Sequence, residues 1–526
     1  MPRIEKTIPN LYRDSVALMQ LSARIASLSG ITRATAVMAT KANISLLAEA
    51  KLLNEQVPSR PNDLLIVIEG ENDPSIAAAM RETESALQET PEAPLAAGAM
   101  APISPSSLQM GLEDMADANL ALVSTPGEYA AAEAEKALRL GLNVMVFSAN
   151  VDIDDEVALK RCARDHGVLM MGPDCGTAVV NGIPLGFANV LQRGPVGAVA
   201  SAGTGLQEVT SLIDRAGVGI SQALGCGARD LSEKVGGMSM LQGLAALAND
   251  TSTEIIVLIA KHPSPKIARQ ICDTAREVSK PVVINFLGVD IAKAIGANIH
   301  AAETLEDAAQ LAVMLANGER QPTIAGPQPS ALSALAQKEV SRLSARQRYI
   351  RGLFSGGTFC YEAQALLTKE IGAVWSNAPI DPVNALSNAW RSREHTVIDL
   401  GDGVFTRGRP HPMIDQRMRL ERVAQEFDDP ETAVILFDVV LGYSANMNPA
   451  AEIASALVDA RRNRKSGERH VSFVASICGT VGDPQNLKQQ EAILRDAGVL
   501  IAQSNAAAAR LAARIVSDHR KRVKHL

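Results

Sequence analysis

The pattern of apolar and polar residues divides the chain into short strands and amphipathic helices that alternate. Apolar runs with many β-branched residues predict buried strands, and segments with apolar residues three or four positions apart predict helices. Residues 143–148, 154–166 and 168–171, for example, predict a strand, a helix and a second strand in succession. Strands that alternate with helices are typical of parallel sheets, so we expect an α/β protein.

The same pattern predicts four structural units joined by two linkers. A small N-terminal α/β unit is predicted for residues 1–88, a Rossmann-like unit for 107–194, and two flavodoxin-like parallel-sheet units for 195–317 and 347–516. The linkers, rich in Pro with Ala or Ser, are residues 89–106 and 318–346. The strands predicted in the last two units are 196–200, 219–224, 254–260, 281–287 and 298–301, followed by 349–354, 396–400, 433–440, 470–477 and 499–503.

The last two units repeat each other step for step, which predicts an internal duplication. The corresponding segments are 224–237 and 399–415, 249–260 and 428–440, and 280–288 and 470–479. Ligands of such sheets bind at the carboxyl ends of the strands. Two Gly-Thr turns, two Asp-Gly loops and the segments 261–263 and 441–444 are all predicted to lie there.

The two Gly-Thr turns are the predicted anion-binding elements. Each follows a strand, opens a helix and has a glutamate four residues after its threonine; the residues concerned are Gly203, Thr204, Gly205, Gly356, Gly357 and Thr358. Backbone N–H groups at a helix start have no intrahelical partner and suit a phosphate. The structural alternative is that glycine serves only close helix packing. No P-loop motif and no N-terminal GxGxxG fingerprint is present.

A second candidate site is the loop at residues 408–415, which holds a histidine between two prolines. Arg409 and His411 predict either an anion clamp or, more boldly, a histidine nucleophile or proton carrier. The alternative is a structured surface loop. Arg229 lies at the corresponding place in the preceding unit, without a histidine.

Cysteine, histidine and carboxylate spacing predicts no metal site. Cys175 follows a strand, but a buried thiol is the favoured interpretation. Histidines 166, 300, 395 and 470 are predicted at element ends or in the core. A magnesium ion held through a substrate phosphate and a carboxylate such as that of Asp402 would leave no sequence signature.

Composition excludes several classes of function. Aromatic residues make up only 3% of the chain, which disfavours base-stacking and lectin-like sites, and the net charge is −7. No signal peptide, membrane span or CxxC pair is evident, so we expect a cytoplasmic protein that binds neither nucleic acid nor membrane. The basic residues 520–524 predict a frayed terminus.

The chain resembles the FdrA family over nearly its whole length. The resemblance is carried by RDSVALM (13–19), LNVMVFSANVDIDDEVALK (142–160), LMMGPDCGTA (169–178), ASAGTGLQE (200–208), ARDLSEKVGGM (228–238), YIRGLFSGGT (349–358) and GRPHPMID (408–415). FdrA proteins are similar to the succinyl-CoA synthetase group of NDP-forming acyl-CoA ligases. The ligase alpha subunit resembles about 118–315, which makes the Rossmann-like unit a CoA-binding type, and the beta subunit's carboxy-terminal domain resembles the fourth unit.

The chain departs from the ligases where their phosphohistidine loop would follow Leu287-Gly288. It reads VDIAKAIGANIHAAET there, Lys261 replaces the glutamate that supports that histidine, and no ATP-grasp domain is present. The FdrA resemblance implies one component of an oxamate carbamoyltransferase, which acts with two other subunits in allantoin breakdown. Oxalurate and phosphate give oxamate and carbamoyl phosphate in that reaction, which needs no histidine relay.

We therefore expect an FdrA-type subunit of a phosphate-dependent carbamoyl transferase. The Gly-Thr turns would bind phosphate, Arg229 and Arg409 would steady the substrate anion, and Lys261 and His411 would assist catalysis. An acyl-CoA synthetase subunit, with CoA or nucleotide bound, is the alternative enzyme. A non-catalytic assembly subunit that kept the fold and lost the chemistry is the third possibility.

Overall fold

The computed structural model describes residues 2–53, 59–88, 105, 107–291, 296–324, 329–407, 409–462 and 469–524. Contacts group the chain into two compact units, Met1–Met170 with Phe405–Ile414, and Met171–Val404 with Asp415–Leu526. Most of the predicted linker at 89–106 lies outside the described residues, as do residues 325–328 of the second linker and Gly408. The predicted boundaries of four units remain predictions.

The N-terminal part of the first unit is a small antiparallel sheet covered by helices. Its elements are β1 (Arg3–Ile8), α1 (Ser15–Ala26), β2 (Ile31–Met38), α2 (Lys41–Glu49), β3 (Leu64–Gly70) and α3 (Asp73–Gln88), and the strand order is β1-β3-β2. Helix α1 has the bounds that the apolar spacing predicts, because the Asp14 carboxylate caps it by accepting from the N–H groups of Val16 and Ala17. Strand β1 is not predicted by the pattern of apolar residues.

A three-stranded sheet follows in the same unit. Its elements are α4 (Leu108–Asp114), β4 (Leu120–Val123), α5 (Gly127–Arg139), β5 (Asn143–Val146), α6 (Ile153–His166) and β6 (Met170–Met171), in the order β4-β5-β6. Strands β4 and β5 are parallel. Their short runs are confirmed as strands because alanines and leucines of the two long helices bury them, among them Ala130, Ala134 and Leu159.

The second unit begins with a seven-stranded sheet. Its elements are β7 (Thr177–Val180), β8 (Ile183–Gly186), β9 (Arg193–Ser201), α7 (Gly203–Arg215), β10 (Ile220–Gly225), α8 (Met238–Asn249), β11 (Ile255–Lys261), α9 (Pro265–Arg276), β12 (Val282–Leu287), β13 (Ile299–Ala301) and α10 (Leu305–Ala316). The order is β13-β12-β11-β9-β10-β7-β8. The five strands from β9 to β13 are parallel, and the β7–β8 hairpin pairs antiparallel with β10.

A five-stranded parallel sheet completes the second unit. Its elements are α11 (Pro329–Val340), β14 (Tyr349–Phe354), α12 (Gly357–Ile371), β15 (Thr396–Asp399), α13 (Gly403–Thr406), α14 (Arg417–Asp428), β16 (Thr432–Val440), α15 (Pro449–Arg462), β17 (Ser472–Cys478), α16 (Leu487–Asp496), β18 (Val499–Ala502) and α17 (Asn505–Lys524). The order is β15-β14-β16-β17-β18. All nine residues of β16 are buried, as a central parallel strand requires.

The two sheets of the second unit share one topology. Numbered along the chain, the five parallel strands of each lie in the order 2-1-3-4-5, which is the flavodoxin-like order of a doubly wound sheet. We call these two halves the first repeat, residues 193–316, and the second repeat, residues 349–404 and 415–524. The hairpin at 177–186 lies within the range predicted for the Rossmann-like unit, yet its hydrogen bonds join it to the first repeat.

The expectation of a frayed basic terminus is wrong, because residues 505–524 form a continuous helix. An Arg520 guanidinium N–H lies 3.4 Å from the Ile371 carbonyl oxygen, and the same side chain contacts the buried His395 ring. Arg522 donates to the Val340 carbonyl. The positive side chains near the carboxyl end of α17 therefore bind other elements of the second unit. In the part of the chain that the structure describes, no helix is long and apolar enough to span a membrane.

Candidate functional site

The first Gly-Thr turn joins β9 to α7 at the carboxyl edge of the first repeat. Ala202 is the N-cap residue of α7, and no side chain caps the helix. The first helical hydrogen bond runs from the Leu206 N–H to the Ala202 carbonyl oxygen at 2.8 Å. The N–H groups of Gly203, Thr204 and Gly205 precede that bond, so the turn presents the donors that suit an anion.

The second Gly-Thr turn, between β14 and α12, is held from below by a buried carboxylate. Asp438 of β16 accepts from the Ser355 N–H at 2.7 Å, from the Ser355 hydroxyl at 2.9 Å and from the Gly356 N–H at 2.8 Å. Its charge is balanced by the buried Arg419 guanidinium at 3.0 Å. Because these bonds end at Gly356, the helix start at Gly357 and Thr358 keeps no side-chain cap.

The two turns touch each other, which brings the two helix N-termini to one place. A Cβ atom added at Gly205 would lie 3.1 Å from Thr358 Cγ2, and one added at Gly356 would lie 3.0 Å from Thr204 Oγ1. The six turn residues of the sequence analysis therefore form one cluster. Two positive helix ends that face a common space favour a doubly charged anion such as phosphate.

Lys261 and Asp399 stand beside this cluster and come from different repeats. A Cβ atom at Gly357 would lie 2.7 Å from Asp399 Oδ2 and 3.2 Å from Lys261 Nζ. Burial raises the pKa of the Asp399 carboxyl to about 6, although Lys261 and the Gly401 N–H, at 2.9 Å, lower it. Lys261 and Asp399 thus both border the first turn of α12, close enough for their opposite charges to interact.

His262, the residue after Lys261, contacts the same helix one turn later. Its Nδ1 lies 3.1 Å from the hydroxyl oxygen of Tyr361, and its backbone has φ +53°. The two rings are tilted by 46° with centroids 5.9 Å apart. Lys261 and His262 therefore both border the α12 N-terminus, although only Lys261 was selected from the sequence.

The glutamates that follow the two turns are buried and bind the opposite repeat. Glu208 Oε1 accepts from the Asn505 N–H at 2.9 Å, at the start of α17. Glu362 Oε1 accepts from the Leu305 N–H at 2.8 Å, at the start of α10, and Glu362 Oε2 accepts from Asn505 Nδ2 at 2.7 Å. Burial raises the pKa of each of these carboxyls to about 7.

The remaining predicted site residues lie in two places. Arg229 is half-buried in the loop after β10, in the second unit. The loop with Arg409 and His411 belongs to the first unit, and Arg409 is exposed there. The pKa of Arg33 is lowered mainly by its burial and, to a smaller extent, by the nearby positive charge of Arg409. His411 Nδ1 accepts from the Met413 N–H at 3.2 Å. The roles of Arg229, Arg409 and His411 stay predictions.

Cys175 and the other histidines lie in the core or at element ends. His166 is the exposed last residue of α6, and His300 lies half-buried in β13. Cys175 is a buried thiol whose Sγ lies 3.5 Å from the Thr177 carbonyl oxygen. His395 is a core residue, and burial lowers its pKa to about 3. His470 precedes β17 and contacts Glu339 at 2.5 Å.

Asp399, Asp438 and Tyr361 are site residues that sequence analysis missed. Asp438 had one visible signal, since it is an acidic residue inside an otherwise apolar strand. Asp399 ends a strand, as acidic residues at ligand sites often do. Tyr361 carried no signal, because a tyrosine on a buried helix face is ordinarily a packing residue.

Two family models match parts of the chain. The model described as "CoA-ligase" matches residues 353–515, and the model described as "AllF, heavy metal-associated domain" matches residues 1–101. Residues 1–101 contain neither cysteine nor histidine, and the described residues hold no group of three or more potential metal ligands. The N-terminal part therefore does not fit a heavy metal ion, which favours thiolate or imidazole ligands.

Comparison with known proteins places the chain among acyl-CoA synthetase-like proteins. It is 40% identical to YahF of Escherichia coli strain K12 over 94% of this chain and 95% of that protein. It is 27% identical to the malate–CoA ligase alpha subunit of Methylorubrum extorquens and 24% identical to the ADP-forming succinate–CoA ligase alpha subunit of Aquifex aeolicus. These matches cover 24% and 33% of this chain but only 42% and 57% of the two ligase subunits.

Solved structures match parts of the chain at low identity and with low TM-scores. An ATP citrate lyase from Methanothrix soehngenii matches 42% of this chain and 43% of its own at 15% identity, with a TM-score of 0.35. A dinucleotide-forming acetyl-coenzyme A synthetase from Ca. Korarchaeum cryptofilum matches 77% of this chain and 85% of its own at 15% identity, with a TM-score of 0.28. The chain aligns with YahF over nearly its whole length, and it joins an AllF-type domain to a CoA-ligase domain. These findings show that the chain belongs to the FdrA family.

Proposed function

We propose that this chain is the FdrA-type subunit of a phosphate-dependent carbamoyl transferase, in which oxalurate and phosphate give oxamate and carbamoyl phosphate. The observation that carries the proposal is the meeting of two uncapped helix N-termini with the ammonium group of Lys261 at Gly357. Such a place suits the phosphate that accepts the carbamoyl group and the charge of the acyl phosphate that forms.

Each residue of the cluster has a defined part in this proposal. The N–H groups of the two turns bind the phosphate oxygens, and Lys261 neutralises charge that develops as the carbon–oxygen bond forms. Asp399 balances Lys261 when no anion is bound. The segment after Gly288, where a ligase would carry its phosphohistidine loop, reads VDIAKAIGANIHAAET and does not contain that loop, which favours direct transfer to phosphate over a histidine relay.

The test is an assay of carbamoyl phosphate formed from oxalurate and phosphate by the full chain, alone and co-expressed with candidate partner subunits. We expect activity that Lys261→Ala lowers by about a hundredfold, the usual size of a lost electrostatic contact to the transition state. Lys234→Ala, which changes an exposed lysine of the same repeat, is the matched control. Undiminished carbamoyl phosphate formation by Lys261→Ala would show that the lysine has no such role.

An acyl-CoA synthetase subunit is the second candidate, and the CoA-ligase match over residues 353–515 favours it. Under that function the same turns would bind an acyl phosphate before transfer to CoA. Thermal unfolding with added ligands distinguishes the transferase from the synthetase. A melting temperature that rises with CoA supports the synthetase, whereas a rise with phosphate or carbamoyl phosphate and none with CoA supports the transferase.

A further inference from the structure

The position of His262 is fixed by the ends of two neighbouring strands. It follows the last residue of β11, and its N–H donates to the Leu287 carbonyl oxygen at 3.1 Å, at the end of β12. Its φ of +53° lies in the left-handed region that non-glycine residues rarely adopt. Such a conformation persists where the surroundings over-determine it.

Tyr361 of the second repeat then fixes one nitrogen of the His262 ring. The Tyr361 hydroxyl oxygen lies 3.1 Å from His262 Nδ1, and burial raises the pKa of the phenol, which therefore stays neutral. Gly288, at φ +84°, leaves the room that this contact needs, because an added Cβ atom would collide with the Tyr361 hydroxyl. The ends of β11 and β12 and the helix α12 thus hold the exposed imidazole of His262, and its Nδ1 contacts the Tyr361 hydroxyl.

The engaged Nδ1 leaves Nε2 as the nitrogen that can meet a substrate. The ring stands at the carboxyl edge of the sheet, next in sequence to Lys261, whose ammonium lies at the α12 N-terminus. With Nδ1–H donating to the Tyr361 oxygen, Nε2 carries the lone pair and can accept a proton. A held imidazole beside an anion site is the arrangement that general acid–base catalysis requires.

We propose that His262 is the general acid–base residue of the carbamoyl transfer, with Tyr361 as its positioning residue. This role rests on the proposed function. As a hydrogen phosphate oxygen bonds to the carbamoyl carbon, Nε2 takes the phosphate's proton. The carbon–nitrogen bond to oxamate then breaks, its electron pair leaves with the nitrogen, and Nε2 returns the proton to that nitrogen. Atoms and charge balance, and no further reactant is needed.

The test compares variants of the full chain in its active complex. We expect His262→Ala to lower kcat by about a hundredfold or more, in the range of lost acid–base catalysis, with the KM for phosphate within about twofold. Added imidazole should restore part of kcat to His262→Ala, and His262→Gln should be equally slow. Tyr361→Phe should lower kcat by about tenfold, since the ring loses its orientation. His166→Gln, an exposed histidine of α6, is the control and should not change kcat.

Two results would overturn the role of His262. One is a His262→Ala complex that keeps more than half of the wild-type kcat. The other is a loss of phosphate affinity together with kcat, without imidazole rescue and with an unchanged melting temperature, which would mark a binding residue. A wild-type complex that binds phosphate but forms no carbamoyl phosphate contradicts the proposed function itself, and the two failures are thereby distinguished.

Discussion

Glu208 and Glu362 occupy equivalent positions in the two repeats, and each accepts a hydrogen bond from the first turn of a helix in the other repeat. Glu208 binds the Asn505 N–H and Glu362 binds the Leu305 N–H. These two hydrogen bonds hold both carboxyls in the protein interior, where burial raises the pKa of each to about 7. The glutamates that lie four residues after Thr204 and Thr358 thus join the repeats.

These raised pKa values predict a pH-dependent stability. A carboxyl with a pKa of 4.5 when unfolded and about 7 when folded holds its proton more strongly in the folded state. Its stabilising contribution is complete below pH 4.5 and is lost as the pH rises through 7. Glu208→Gln, which keeps a neutral acceptor, should therefore gain stability over wild type from pH 5 to pH 8, by on the order of 2 kcal/mol. Urea unfolding midpoints measure this, and Glu113→Gln, at an exposed position, should show no such trend.

Removal of the Asp438 carboxylate should destabilise the second repeat. Asp438→Ala leaves the Arg419 guanidinium buried without its counter-charge, which costs about 3–5 kcal/mol. The double variant Asp438→Ala with Arg419→Met should recover part of that loss, because no charge stays buried alone. Thermal unfolding of the wild type and of the single and double variants gives the order of their stabilities. A double variant that is less stable than Asp438→Ala would contradict the prediction.

Phosphate affinity should respond to side-chain volume at Gly357 but not at Gly203. An alanine Cβ at 357 would lie 2.7 Å from Asp399 Oδ2 and 3.2 Å from Lys261 Nζ and displace both side chains, so Gly357→Ala should weaken phosphate binding by at least about tenfold, or 1.4 kcal/mol. At Gly203 the nearest atom, Thr177 Oγ1, is 3.6 Å away, which is ordinary contact. Calorimetric titration with inorganic phosphate compares the affinities of Gly357→Ala and Gly203→Ala. Equal affinities would mean that the second turn does not bind the anion.

The ionisation of Asp399 should oppose phosphate binding. Its pKa of about 6 means that the carboxyl is charged at pH 8 and neutral at pH 5. Asp399→Asn should therefore bind phosphate more tightly than wild type at pH 8, and the two should converge at pH 5. Phosphate itself changes its charge with pH, so the affinities of the variant and the wild type are compared at the same pH, where that change affects both equally. A variant that binds more weakly than wild type at pH 8 would show that the carboxylate supports the site.

The last turn of α17 should contribute to stability through its arginines and not through its lysines. Arg520→Ala with Arg522→Ala removes bonds to the Ile371 and Val340 carbonyls. We expect this pair to lower the melting temperature by several degrees, at about 1 kcal/mol for each bond lost. Lys521→Ala with Lys524→Ala changes two exposed residues and should lower it less. A drop of equal size would mean that net charge, not these bonds, matters.

The sequence predicted the elements of the last two units well, because buried parallel strands are nearly continuous apolar runs. β14 has the bounds predicted for it, and each of the other nine predicted strands of the repeats overlaps an observed one. The β7–β8 hairpin was missed because its runs are only four residues long and are interrupted by a threonine, a proline and a glycine. Strand β1 was missed because charged residues at positions 3, 5 and 6 interrupt its apolar pattern.

The site was only partly predictable. Glycines mark a turn in any sequence, so Gly203 and Gly356 were visible. Their proximity depends on how the two repeats pack, and local periodicity contains no information about that. The same holds for Tyr361 and His262, which are 99 residues apart and meet only through this packing. Arg409 and His411 were selected for their unusual loop, and their contacts depend on long-range packing as well.

The edges of the two sheets limit how another protein can bind this chain. In the described part of the second unit, the β7–β8 hairpin covers β10, and a bridge from Trp375 to Thr396 lies against β15. The opposite edge strands, β13 and β18, have three and four residues. Addition of a foreign strand needs a longer open edge. A partner subunit that binds the second unit is therefore expected to recognise helices and loops through side chains, and point substitutions on those surfaces should be able to separate assembly from catalysis.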